Sequence, residues 1–138
     1  MKIGTVVSAP GTLVKGTVEI ARYPDGPITS PVMVAEGRKP GPALFITGLV
    51  HGTEIIGPLA VARFLKALDL DQLSGRIVAL LASNPLGLRH FNRLTPQDGM
   101  NLNRVFPGKA DGSVTEQIAH RAFTLAGEHG DVMQDLQT

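Results

Sequence analysis

The chain has 138 residues, about the size of one globular domain. Thirteen lysine and arginine residues against twelve aspartate and glutamate residues give a net charge of +1, and the only aromatic residues are five Phe and one Tyr. This composition excludes strong electrostatic binding to nucleic acid or to an anionic membrane, and it provides few aromatic rings for base stacking. The absence of cysteine excludes disulfides and thiolate metal sites, and a cytoplasmic location is expected.

The first part of the chain, residues 1–40, is expected to form short N-terminal strands. Residues 17–20 alternate polar and apolar side chains, and residues 31–35 are a second β-prone run. Residues 23–26, with the sequence Tyr-Pro-Asp-Gly, predict a tight turn between them. Prolines and glycines in residues 38–42 are expected to interrupt the chain.

Residues 43–136 are expected to form the core of a single domain, in the order βαβ, loop, helix and strand. Residues 43–50 are almost continuously apolar, which is typical of a strand buried on both faces. Apolar residues then recur every three to four positions over 55–68, which predicts a helix, and residues 76–82 predict a second buried strand. A β-helix-β order predicts two parallel strands.

A loop of roughly thirty residues follows the second strand, and loops of this length are usually functional or disordered. The next helix is expected to begin at Ser113, because Ser113 and Glu116 have the spacing of a capping box. It is expected to end near Glu128, before Gly130. Residues 131–136 are expected to form a third parallel strand.

His51 and Glu54 are the first candidates for chemistry. They follow the first buried strand, at the sheet edge where open α/β folds bind ligands. A spacing of three residues lets both side chains point to one place, and an imidazole with a carboxylate is a suitable pair of zinc ligands. The alternative is a surface histidine beside a glutamate that favours the helix N-terminus.

The long loop carries arginine and asparagine residues that suit an anionic, carbonyl-bearing ligand. Arginine binds a carboxylate through two parallel hydrogen bonds, and asparagine offers both a donor and an acceptor. Arg93 and Arg104 are the arginine candidates. Asn84 and Asp98 are interpreted instead as turn residues that bond their own backbone.

The order and spacing of these pieces resemble the succinylglutamate desuccinylase/aspartoacylase family, over residues 43–137. The resemblance is carried by His51-Gly-Thr-Glu54, Asn84-Pro85, Arg93, Thr95-Pro-x-Asp-Gly99 and Asn101-Leu-Asn-Arg-Val-Phe-Pro-Gly108. It implies a zinc-dependent hydrolase of the deacylase/desuccinylase type that cleaves the amide bond of N-acyl amino acids or similar small amides. It also implies a zinc-carboxypeptidase-like fold with a mixed, mainly parallel sheet and flanking helices, truncated here after about the third parallel strand.

The resemblance further implies a role for individual residues. His51 and Glu54 correspond to zinc ligands, and Arg93, Asn103 and Arg104 correspond to substrate-binding residues. The family's third zinc ligand is a histidine that follows Asp-Leu, and Gln137 stands at that position here. An amide oxygen is a poorer zinc ligand than imidazole.

Two further points concern what the chain itself supplies. The family's general base is a glutamate beyond position 138, so no catalytic residue is assigned in this chain, and the 138-residue chain by itself is expected to be inactive. Among the other histidines, His90 lies in the long loop and is considered as a replacement ligand.

Two alternatives to the deacylase remain open. One is a catalytically inactive remnant of the same fold that binds a small molecule or a partner, and the other is a zinc carboxypeptidase. A sheet that stops after residue 136 exposes unpaired main-chain groups along its last strand, so self-association is expected.

Overall fold

A long β-hairpin begins the main sheet in this computed structural model, which describes all 138 residues. Strands β1 (Lys2–Ile3) and β2 (Val6–Val7) form a small separate pair in front of it. The hairpin consists of β3 (Thr12–Tyr23) and β4 (Gly26–Glu36), joined by the predicted turn. Its strands have 12 and 11 residues, so the prediction of short strands was wrong. The strands are longer because β4 pairs with β3 on one side and with a later strand on the other. These pairings extend beyond residues 17–20 and 31–35.

The βαβ unit follows as β5 (Lys39–Gly48), α1 (Ile56–Ala67) and β6 (Ser74–Leu80). Strand β5 begins at Lys39 and not after the prolines, because it accommodates them in an irregular stretch between Lys39 and Ala43. The order in the five-stranded sheet is β3-β4-β6-β5-β7, where β7 is Val132–Leu136. Strand β5 is parallel to both β6 and β7, while β4 pairs antiparallel with β3 and β6. The predicted α/β class with three parallel strands is confirmed.

Helix α3 (Val114–His129) covers one face of this sheet. Its buried residues Ile118 and Leu125 belong to the same apolar cluster as Phe45 and Val78 of the central strands. The helix begins with the predicted capping box, in which Ser113 and Glu116 satisfy each other's backbone N–H groups. The C-cap is the predicted Gly130.

Helix α1 packs on the opposite face of the sheet through a single row of residues. Gly57, Val61 and Leu65 are buried at intervals of four residues, and Val61 and Leu65 join the second apolar cluster. Leu59 belongs to the apolar repeat of this helix, yet it is 55% exposed. It is exposed because only one row of the helix contacts the sheet. None of the helices is long and apolar enough to cross a membrane.

The long segment between β6 and α3 contains two short helical turns. These are α2 (Pro85–Arg89) and a 3₁₀ turn, Leu102–Arg104. Leu86 and Leu102 are buried in the same cluster as α3, so the segment is packed against the core. The long segment therefore has a fixed position relative to the carboxyl ends of the parallel strands.

Candidate metal and substrate site

The chain leaves β5 through a strained residue. Leu49 has φ 59°, a left-handed conformation that is rare for a branched residue, and its side chain is 2% exposed. The chain after β6 holds this turn in place, because Ser83 N–H donates to Gly48 O at 2.9 Å and Asn84 N–H donates to Leu49 O at 3.0 Å. The turn carries the backbone of His51 over the carboxyl edge of the sheet.

His51 and Glu54 meet at this edge. The Nδ1 atom of His51 lies 2.8 Å from Oε1 of Glu54, and the Glu54 N–H donates to the His51 carbonyl at 3.0 Å. The side chains are buried, with His51 2% and Glu54 6% exposed. This burial contradicts the alternative of a surface histidine, because an imidazole and a carboxylate are rarely buried without a specific partner.

One oxygen of this pair has no partner. The Oε2 atom of Glu54 is buried and accepts no hydrogen bond from any protein group. An unsatisfied carboxylate oxygen in a buried position costs free energy, so a cation is the kind of ligand that would satisfy it. The donor set of one imidazole nitrogen and one carboxylate suits zinc.

Asn101 completes the surroundings of His51. Its Oδ1 atom lies 3.1 Å from Nε2 of His51 and also accepts the backbone N–H of Asn103 at 3.0 Å. Asn101 therefore fixes the ring of His51 from the side opposite Glu54. Asn101 was not predicted as a site residue, since a loop asparagine can also be a turn residue that bonds its own backbone.

Asp98 and Asn84 have the structural roles that were predicted for them. Asn84 caps α2 by accepting the Gly87 N–H at 2.8 Å. Asp98 accepts the backbone N–H and the hydroxyl of Thr115 at 2.9 and 2.6 Å, and the N–H of Met100 at 3.2 Å. Burial by itself would raise the pKa of Asp98, but these hydrogen bonds outweigh it and hold the pKa below its ordinary value. Asp98 thereby ties the loop to the start of α3.

The predicted substrate-binding residues lie at different distances from this pair. Arg93 is nearest, with Nη1 3.8 Å from Oε1 of Glu54 and a side chain that is 60% exposed. Asn103 is half-buried and lines a cavity beside β5 and β7. Arg104 is exposed, and its Nη1 atom donates to the carbonyl of Asn103 at 3.0 Å. Both exposed guanidinium groups are accessible to an anionic ligand.

Gln137 follows the end of β7, the strand next to β5. The register pairs Leu136 with Gly48, which places Gln137 at the same carboxyl edge as the His51 loop. Its side chain is exposed and donates to Oδ2 of Asp135 at 2.6 Å. The structure thus places Gln137 in the expected part of the fold, engaged with Asp135.

No third histidine, cysteine or acidic side chain joins His51 and Glu54 in a metal-binding group. His90, the considered replacement, is exposed and its Nδ1 atom lies 3.0 Å from the carbonyl of Leu86. His51 and Glu54 are therefore two side chains whose chemistry suits zinc, and Gln137, at the position that the resemblance gives to a third ligand, ends in an amide.

Comparisons with known proteins agree with this architecture. The N-alpha-acetyl-L-2,4-diaminobutyric acid deacetylase of Halomonas elongata is 36% identical over 113 residues, which are 82% of this chain and 33% of that protein. The chain thus spans about a third of the length of this curated relative.

Solved structures extend the likeness to the fold. An aspartoacylase family protein from Mesorhizobium loti is 40% identical with a TM-score of 0.81, covering 94% of this chain and 41% of that one. The product-bound ectoine utilization protein EutE (DoeB) from Ruegeria pomeroyi is 30% identical with a TM-score of 0.79, covering 95% and 41%.

The match to a family is longer than any single motif. Residues 40–138 match the succinylglutamate desuccinylase/aspartoacylase catalytic domain. This range includes the His51–Glu54 pair, the long segment between β6 and α3, and the three parallel strands. On this match, and on the likeness to its solved members, the chain belongs to the succinylglutamate desuccinylase/aspartoacylase family.

Proposed function

We propose that this chain provides the N-terminal part of a zinc-dependent amidohydrolase that acts on N-acyl amino acids. The observation that carries the proposal is the buried His51–Glu54 pair with its unpartnered Oε2 atom, at the carboxyl edge of a parallel sheet. The relative from Halomonas elongata, a deacetylase of an N-acetylated amino acid, supports this substrate class. A cytoplasmic location is part of the proposal and rests on the composition.

His51 and Glu54 are the residues that would hold zinc. When bound, zinc supplies an acidified water and polarises a carbonyl oxygen. Glu54 and Asn101 hold the imidazole of His51 in one orientation from its two sides. Asn101 fixes the ring through Nε2, so Nδ1, the nitrogen beside Glu54, is the one that would bind the ion.

Arg93, Asn103 and Arg104 are the residues that would hold the substrate. The guanidinium of Arg93, beside Glu54, is in position to bind the acyl carbonyl oxygen and to stabilise negative charge that develops there. Arg104 carries an exposed guanidinium one residue after Asn103, and it suits the α-carboxylate of an amino acid. The hydrogen bonds of Asp98 keep this loop in register with α3.

A second candidate is a binding module without catalytic activity. It is favoured by one observation, the absence of a third metal-binding side chain beside His51 and Glu54. The fold and the arginine residues of such a module would still bind an N-acyl amino acid, and only hydrolysis would be missing.

Zinc binding and hydrolysis test the proposal together. We expect the chain to bind one zinc ion, the His51→Ala variant to lose that binding, and the His90→Ala variant to retain it. Stoichiometry is measured by titration against a chromophoric chelator, and hydrolysis is measured on N-acetyl and N-succinyl amino acids. Equal zinc binding by wild type and His51→Ala would disprove the site. Hydrolysis by this chain would contradict the binding module. Zinc binding that does not become tighter in Gln137→His would favour it.

A further inference from the structure

A cavity of about 230 Å³ opens between β5, β7 and α3. Its wall includes Val50, which precedes His51, and Asn103, which lies two residues after Asn101. The cavity, named here the side cavity, therefore shares two chain segments with the metal and substrate site. Pockets that hold a whole small molecule usually exceed about 300 Å³, so the side cavity has room for part of a ligand.

The floor of the side cavity carries a hydroxyl group without a partner. Ser83 is 1% exposed, lines the cavity, and its Oγ atom makes no hydrogen bond with any protein group. Ser30 provides a contrast within the same fold, because it is equally buried and its Oγ donates to the Ala82 carbonyl at 2.6 Å. A buried hydroxyl that is left unpaired destabilises the folded state, so a bound group that pairs with Ser83 would recover that cost.

The charge in the side cavity is negative. Asp135 is the only ionisable residue in its wall, and its two oxygens accept hydrogen bonds from Thr47 Oγ1 at 2.8 Å and from Gln137 Nε2 at 2.6 Å. No cationic side chain lines the cavity. An anionic group that enters would meet an uncompensated like charge, whereas a hydrogen-bond donor or a cation would be attracted.

The mouth of the side cavity is apolar. Phe106, Phe123 and Met133 line it, and their side chains are 38%, 57% and 48% exposed. A short methylene chain that passes between these residues would gain apolar contacts and carry its terminal group to Ser83. The wall is thus apolar along the entrance and polar at the floor.

We propose that the side cavity receives the side chain of the N-acyl amino acid, and that Ser83 selects short side chains that end in a hydrogen-bond donor, such as an ammonium group. Ser83 accepts a hydrogen bond from that donor, while Asp135 provides the favourable field. A carboxylate at the same place is disfavoured. This inference rests on the proposed function, because it assigns the side-chain subsite of that same substrate.

Matched ligands test this selection on the complete 138-residue chain. N-acetyl-L-2,4-diaminobutyrate and N-acetyl-L-norvaline have side chains of equal length, and only the first ends in an ammonium group. We expect calorimetry to show that the wild type prefers the diaminobutyrate derivative by roughly tenfold, and that it binds N-acetyl-L-aspartate more weakly than either. The Ser83→Ala variant should lose most of this preference and should bind the norvaline derivative as the wild type does.

Ser30→Ala is the matched control, since it removes the other buried serine hydroxyl. The melting temperature should fall in Ser30→Ala, where a made hydrogen bond is lost, and should stay constant or rise in Ser83→Ala. Two results would overturn the inference while leaving the proposed function intact: equal wild-type affinity for the two ligands, or a preference of unchanged size in Ser83→Ala. If no N-acyl amino acid binds the wild type at all, the proposed function itself fails.

Discussion

His51 shows what individual residues contribute to the candidate site. Glu54 lies beside one ring nitrogen and Asn101 beside the other, and both partners come from segments whose positions are fixed by the sheet or by the loop. The spacing of His51 and Glu54 was sufficient to predict their proximity, because three residues at a helix entry bring two side chains together. The contact between His51 and Asn101 joins residues 50 positions apart, and no local sequence pattern predicts it.

Replacement of Gln137 by histidine is expected to strengthen zinc binding. Gln137 follows the strand that pairs with β5, so an imidazole there would approach the edge where His51 and Glu54 lie. Imidazole is a better zinc ligand than an amide, and we expect Gln137→His to raise the zinc affinity roughly tenfold or more in a chelator competition assay. Gln134→His, on the same strand, is the control and should leave the affinity unchanged. Equal gains in the two variants would indicate nonspecific binding by exposed histidines.

The lowered pKa of Asp98 predicts that the free energy of unfolding depends on pH. Its folded-state pKa is lowered because the hydrogen bonds from Thr115 and Met100 outweigh the effect of burial. The contribution is therefore present above about pH 4 and is lost as the pH falls through the lowered value. We expect Asp98→Asn to cost about 2 kcal/mol at pH 7 and to lose less additional stability than the wild type between roughly pH 5 and pH 2.

Urea denaturation at a series of pH values measures this effect. Asp111→Asn, an exposed change in the same loop, is the control and should follow the wild type at every pH. Parallel pH profiles of Asp98→Asn and the wild type would show that the carboxylate of Asp98 does not carry the dependence.

At the scale of elements, helix α3 begins after Ser113, as the sequence predicts. The Ser113–Glu116 capping box is local, so four residues are enough to specify it. Helix α1 was predicted equally well in extent, but its apolar repeat does not show which residues are buried, since the exposed Leu59 lies beside the row that contacts the sheet. Periodicity gives an apolar face, and the packing partner decides which part of that face is buried.

Loss of the α3 cap should destabilise the chain measurably. We expect Ser113→Ala to lower the free energy of unfolding by about 1 kcal/mol, because the N–H of Glu116 loses its acceptor. Ser113→Asp keeps a capping oxygen and should remain close to the wild type. Denaturant titration measures both variants, and equal losses in the two would show that the cap hydrogen bond is not responsible.

At the scale of the whole molecule, the sheet has an unprotected side. Strand β7 is the last of the five strands, pairs only with β5, and has Val132 60% and Met133 48% exposed. Unpaired main-chain groups together with exposed apolar side chains favour pairing with another strand. The strand carries neither lysine nor proline, which often protect such edges.

We therefore expect the chain to self-associate through β7. Sedimentation velocity at increasing concentration should show dimers or larger species, and Val132→Lys should shift the distribution toward monomer because a lysine on the edge opposes pairing. Val7→Lys is the matched control, since Val7 is 68% exposed on the separate β1–β2 pair. A monomeric wild type at high concentration would contradict this expectation.

The sequence by itself determined the α/β class, the βαβ unit, the capped helix and the proximity of His51 and Glu54, because each depends on neighbours within a few positions. Only the tertiary structure decided the length of the β3–β4 hairpin, the contact of Asn101 with His51, and the side cavity with its unpaired Ser83 hydroxyl. These features join segments that are far apart in the chain, and the pairing of strands and the packing of the loop bring them together. Hydrogen bonds and cavities of this kind are fixed by geometry across the sheet, which no local pattern encodes.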